Sequence, residues 1–119
     1  MVLGGLIFHD KTAALKTFYN DFTPEMDPLG WASRLQTQSA TSWAGELGYE
    51  SHRDIPTTYL FFTQDRAIPI DIQKKFVGFA EGKISTITCG AGHSPMISMP
   101  ELVVDVIILG AAQASKSEE

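Results

Sequence analysis

The segment Thr57-Thr-Tyr-Leu-Phe-Phe-Thr63 limits most strongly what this chain can fold into. Nearly every residue in it is β-branched or aromatic, and no polar position alternates with the apolar ones. That is the pattern of a parallel strand covered on both faces. Such a strand wants a neighbour on each side, and the chain supplies one, Lys83-Ile-Ser-Thr-Ile-Thr-Cys89. Between the two, Pro69 precedes a helix with Ile72, Phe76 and Phe79 on one side and Gly82 at its end. A helical crossover makes the strands parallel and the connection right-handed. The class is therefore α/β. A two-stranded parallel sheet is too small to be covered well on both faces, so the sequence reads as part of a larger sheet.

The flanks are of two kinds. After the second strand comes a glycine-bearing loop, Gly90-Ala-Gly-His93. Ser98-Met-Pro-Glu101 then matches a capping box, followed by a helix carrying Leu102, Val103, Val106, Ile107 and Leu109 and ending near Gly110. Before the first strand the chain reads as helical and loop-rich. Ala14, Leu15, Phe18 and Tyr19 fall on one helical face. Asp27-Pro28 looks like an N-cap and first-turn proline, opening a helix past Trp31 and Leu35 towards Ser39. Trp43, Leu47 and Tyr49 fit no regular element. The division is thus 1–54 helical and cap-like, 55–112 strand-helix core, and 113–119 flexible tail.

Composition excludes several classes. A net charge of −5 without a basic stripe argues against nucleic acid and against anionic membranes. No apolar run approaches the roughly 20 residues of a bilayer span. The apolar start Met1–Phe8 lacks a basic flank and a cleavage site, against a signal peptide. The single cysteine, Cys89, cannot form an internal disulfide, so nothing requires an oxidising compartment. A cytoplasmic protein is the expectation. His9, His52 and His93 have no ligand-like spacing, and neither a metal nor a cofactor is expected.

Chemistry concentrates at two positions. Asp65 follows the first strand and His93 follows the second, and open α/β sheets build their sites outside the carboxyl ends of the strands. Neighbouring parallel strands would bring both side chains to one rim, where a carboxylate can fix the tautomer of an imidazole and stabilise its protonated form. Taken singly, each has a bland explanation: aspartate is common in turns, and a lone loop histidine more often has no role. Cys89 reads as a small buried hydrophobe, and Ser98 as a helix cap. Trp31, Trp43 and Met96 are candidates to line an apolar substrate pocket, with packing under a cap an equal explanation for the tryptophans.

Longer stretches carry a resemblance. Tyr59-Leu-Phe-Phe-Thr-Gln-Asp65-Arg-Ala-Ile-Pro69, with Gln73 four residues on, resembles the acid-bearing strand and loop of α/β-hydrolases. Gly92-His93-Ser-Pro-Met-Ile-Ser98-Met-Pro100 resembles their histidine loop and final helix start. Phe18-Tyr-Asn-Asp21, Pro24-Glu25 and Trp31 through Leu35-Gln-Thr-Gln-Ser39 resemble the helical cap of the branch containing plant methylesterases, hydroxynitrile lyases and related fungal hydrolases. The likeness covers nearly the whole chain. It implies an incomplete α/β-hydrolase fold, with Asp65 as triad acid and His93 as triad histidine. The family's order is nucleophile, acid, histidine, and a G-x-S-x-G-like elbow occurs nowhere in this sequence.

Three functions follow as expectations. The first is a truncated relative of hydrolases that cleave esters or lactones of small hydrophobic metabolites, in secondary metabolism for instance, and that is a pseudoenzyme for hydrolysis without its nucleophile. The second is a non-hydrolytic proton-transfer catalyst (a cyclase, dehydratase or isomerase) using Asp65 and His93. The third is a binding or assembly role, in which the unpaired edge of strand 57–63 joins a complementing chain or a second copy.

Overall fold

The computed structural model describes residues 2–7 and 9–116. Its centre is the pair foreseen from the sequence: β4 (Thr57–Phe62) and β5 (Ile84–Cys89), parallel, in the register Thr57↔Ile84 through Phe62↔Cys89. The crossover is α3 (Ile70–Gly78), and α5 (Pro100–Lys116) follows the short α4 (Pro95–Ser98). Two parallel strands joined by a helical crossover make this an α/β unit, the class read from the sequence.

The first zone holds more than helices. Val2–Leu3, Leu6–Ile7 and Gln38–Ser39 are β1, β2 and β3, a small antiparallel sheet in that order. Gly4 and Gly5 link β1 to β2, and both have positive φ, 57° and 77°. A two-residue hairpin turn with left-handed residues matches the strand twist, which is why two glycines suit it. The helix α1 spans Lys11–Thr17, where Asp10 Oδ1 accepts from the Ala13 N–H at 2.7 Å. The helix α2 spans Pro28–Ser33, shorter than the run to Ser39 expected from the sequence, because the chain leaves the helix to add β3 to β2. Between α1 and α2 lies the buried cluster Ala14, Tyr19 and Ala32, flanked by Leu15, Phe18, Phe22, Trp31 and Leu35.

The helices differ in detail from the sequence reading. Ile72, Phe76 and Phe79 share one side of α3 and are exposed, while the more buried side is the row Ile70, Gln73, Val77 and Ala80, running just past the helix end. The helical period was legible, but the buried row is led by an amide. At the start of α5, Ser98 closes α4 instead, and its hydroxyl donates to the Ser94 carbonyl at 3.5 Å. The final helix continues past Gly110 to Lys116, so 113–116 of the expected tail is helical, while 117–119 lies outside the described residues.

Much apolar surface stays open. No residue of α5 is buried, and Val104, Ile107, Ile108 and Leu109 are exposed. The accessible surface is 8505 Å², against roughly 6,300 Å² for a closed monomer of this mass. The radius of gyration is 16.5 Å, against about 13.5 Å for a compact chain of this length. A helix apolar on most sides is normally buried, and α5 is not. No helix of the described residues is long and apolar enough to cross a membrane.

Candidate active site

The ladder between β4 and β5 continues beyond the strands. The Thr63 N–H donates to the Cys89 carbonyl at 3.0 Å, and the Gln64 N–H to that of Ala91 at 3.1 Å. The two strand-end turns therefore leave the sheet side by side. One carries Asp65 and the other His93. His93 Nδ1 lies 3.1 Å from Asp65 Oδ1 and 3.0 Å from Oδ2. Asp65 is buried, its side chain only 2% exposed, while 31% of the His93 side chain is open. Buried on one side and accessible on the other, the pair has the asymmetry of a carboxylate that holds an imidazole towards a reactant.

Asp65 is itself held. Its Oδ1 accepts from the backbone N–H groups of Ala67 and Ile68 at 2.8 and 2.9 Å, an Asx-type turn that fixes the carboxylate. Gln73, 1% exposed, closes the same loop from α3. Its Nε2 donates to the carbonyls of Phe62 at 3.0 Å and Ile68 at 2.7 Å, and its Oε1 accepts from the Phe62 N–H at 2.9 Å. Because the Thr63 N–H faces β5, that of Phe62 faces the other way. Gln73 thus occupies the last position on the free edge of β4, as a neighbouring strand would.

The Phe18 ring lies 5.2 Å from the His93 ring, tilted by 35°. Together with Trp43, Ala67, Ile68, Pro69, Ile72 and Phe76 these rings line a cavity of about 410 Å³. That is the size and character of a small-molecule site: mainly apolar walls and one polar group. A hollow of about 460 Å³ at the start of α5, lined by Ser98, Glu101 and Asp105 among others, lacks an imidazole. Chemistry rather than volume selects the first.

Of the three pocket residues expected from the sequence, the structure brings only Trp43 to this cavity, where it is 73% exposed. Trp31 packs on the cluster between α1 and α2, with the Arg34 guanidinium 5.4 Å above its ring. Met96 is 57% exposed on α4 and lines no part of the cavity. Phe18, Ile72 and Phe76 take their places. Sequence periodicity places these three on helical faces only, and nothing local distinguishes a residue packed in a core from one lining a cavity. Among the described residues, His93 bonds only Asp65 and no hydroxyl or thiol, and no group of three or more His, Cys, Asp or Glu side chains gathers as a metal site.

Residues 3–106 match the family described as the alpha/beta hydrolase family. This chain belongs to that family. It is similar to the alpha/beta hydrolase nvfD of Aspergillus novofumigatus (strain IBT 16806), 30% identical over 112 residues, which is 93% of this chain and 44% of the relative. Among solved structures it is similar to polyneuridine aldehyde esterase, with a TM-score of 0.69 and 19% identity, covering 87% of this chain and 42% of the esterase. A mutant form of that esterase gives a TM-score of 0.66 at the same identity and coverage. The chain thus spans less than half the length of the proteins it matches.

Proposed function

We propose that this chain carries the acid and the base of a hydrolase-type acyl-transfer site acting on esters of small hydrophobic molecules, and that alone it does not turn such esters over. The observation that carries this reading is the contact of both Asp65 oxygens with His93 Nδ1 at the mouth of an apolar cavity. A neutral His93 donates its Nδ1–H to Asp65 and presents Nε2 as base. Nε2 takes the proton from an attacking hydroxyl, and the same proton passes to the departing alcohol as the tetrahedral intermediate collapses. The names of the relatives, a hydrolase and an esterase, support the substrate class.

The attacking group is the missing part. The sequence contains no elbow serine, and without a positioned nucleophile the pair has nothing to deprotonate but water. Purified protein assayed against a panel of short-chain and aryl esters should match the buffer rate, with Asp65→Ala and His93→Ala indistinguishable from the parent. Turnover that either substitution abolishes would overturn the inactive reading.

The cavity favours a second reading. An imidazole facing a largely apolar hollow, with no hydroxyl among the described residues bonded to it, also suits proton transfer within a bound substrate, as in a cyclisation or isomerisation.

A further inference from the structure

We propose that Asn20 and Asp21 form a positioning strap that ties together the two turns bearing Asp65 and His93. The inference rests on the reading of that pair as the reactive site. Asn20 Nδ2 donates to the Gln64 carbonyl at 2.9 Å, one residue before Asp65. Asp21 Oδ2 accepts from the Gly92 N–H at 2.7 Å, one residue before His93. Two consecutive side chains thus reach two segments that are remote from them and from each other in sequence.

The ladder explains why a strap is needed here. Its last rung runs from the Gln64 N–H to the Ala91 carbonyl. Beyond that rung no backbone pairing among the described residues holds the turns in register, and the Gly92 N–H needs an acceptor from elsewhere. Asp21 supplies it. The fit is close: a Cβ on Gly92 would lie 2.6 Å from Asp21 Oδ1 and 2.8 Å from Asn20 Oδ1, so any larger residue there would push the strap's side chains aside.

The arrangement also carries a penalty. Asn20 Oδ1 and Asp21 Oδ1 are buried without a hydrogen-bond partner among the described residues. Orphaned buried acceptors are uncommon and call for a reason. Here the other atom of each side chain makes a bond that fixes a reactive turn. The neighbouring Phe18, stacked on His93, and Tyr19, buried in the cluster between α1 and α2, anchor the strap at its base.

The strap acts through the turns, so its readout is the geometry of the Asp65–His93 bond. In the full chain labelled with ¹⁵N, the downfield His93 Nδ1–H resonance should be present and should vanish in Asp65→Ala. In Asp21→Ala it should exchange with water at least about tenfold faster, as expected of a bond freed to open locally. Asp21→Asn, which keeps an oxygen acceptor for Gly92, should restore it. An unchanged exchange rate in Asp21→Ala, with the resonance still dependent on Asp65, would overturn the strap alone. A resonance that survives Asp65→Ala would overturn the pairing, and the strap with it. Should Asp21→Ala not fold, the unsubstituted chain decides. A Gly92 amide as protected as the β4–β5 ladder amides supports the strap, and one exchanging like an open loop overturns it.

Discussion

Asp65 Oδ1 is shared: the same oxygen that lies 3.1 Å from His93 Nδ1 accepts the backbone N–H groups of Ala67 and Ile68. One atom therefore both shapes a turn and orients an imidazole, and the two jobs can be separated by substitution. Asp65→Asn retains a carbonyl oxygen for the turn and removes the charge. Asp65→Ala removes both. Asp65→Ala should lower stability by about 1–3 kcal/mol through the two orphaned amides, and Asp65→Asn by clearly less. Hydrogen exchange at Ala67 and Ile68 checks this, with faster exchange expected in the alanine variant only. Equal exchange in both variants would show that the turn does not depend on that oxygen.

Gln73 is the buried polar side chain whose loss should be felt most. Gln73→Leu keeps the volume close and removes all three bonds to Phe62 and Ile68. The Phe62 N–H and the two carbonyls would then lie against an apolar side chain. We expect a loss of about 3 kcal/mol, from three net hydrogen bonds of roughly 1 kcal/mol each. Urea denaturation measures it. A loss under about 1 kcal/mol would mean that water replaces the amide at that edge.

Tyr59 gives the fold an alkaline limit. Burial raises the phenol above its ordinary value, and the negative charge of Asp65 raises it further. A raised acid pKa in the folded state means that the unfolded chain ionises first. The contribution of Tyr59 is therefore whole below the ordinary tyrosine value of about 10 and is lost as pH rises through the folded-state value. Phenolate absorbance in a pH titration should show Tyr59 ionising later than an exposed tyrosine, and Asp65→Asn should bring it part of the way back. A titration unaffected by Asp65→Asn would remove the charge from the account.

The residues that specify the frame speak locally. An unbroken β-branched and aromatic run at 57–63, a second run at 83–89 and a helical period between them are short-range patterns. They fixed the parallel pair, the crossover and the carboxyl rim on which Asp65 and His93 sit. The longer likeness around those two residues, and around Phe18–Asp21, pointed to the family.

What the sequence could not express were the relations across the fold. The buried row of α3 follows Gln73 rather than Phe76, because the Phe62 backbone groups on the β4 edge must find partners. Helical periodicity contains no term for that need. Trp43 reaches the cavity while Trp31 and Met96 do not, since side-chain direction depends on how the segments between elements are laid down. Asn20 and Asp21 matter through bonds to Gln64 and Gly92, far away in the chain. Composition and spacing specify what each segment would form by itself. Which polar groups meet once the segments pack is decided by desolvation, which makes every buried donor and acceptor seek a partner that only the tertiary structure supplies.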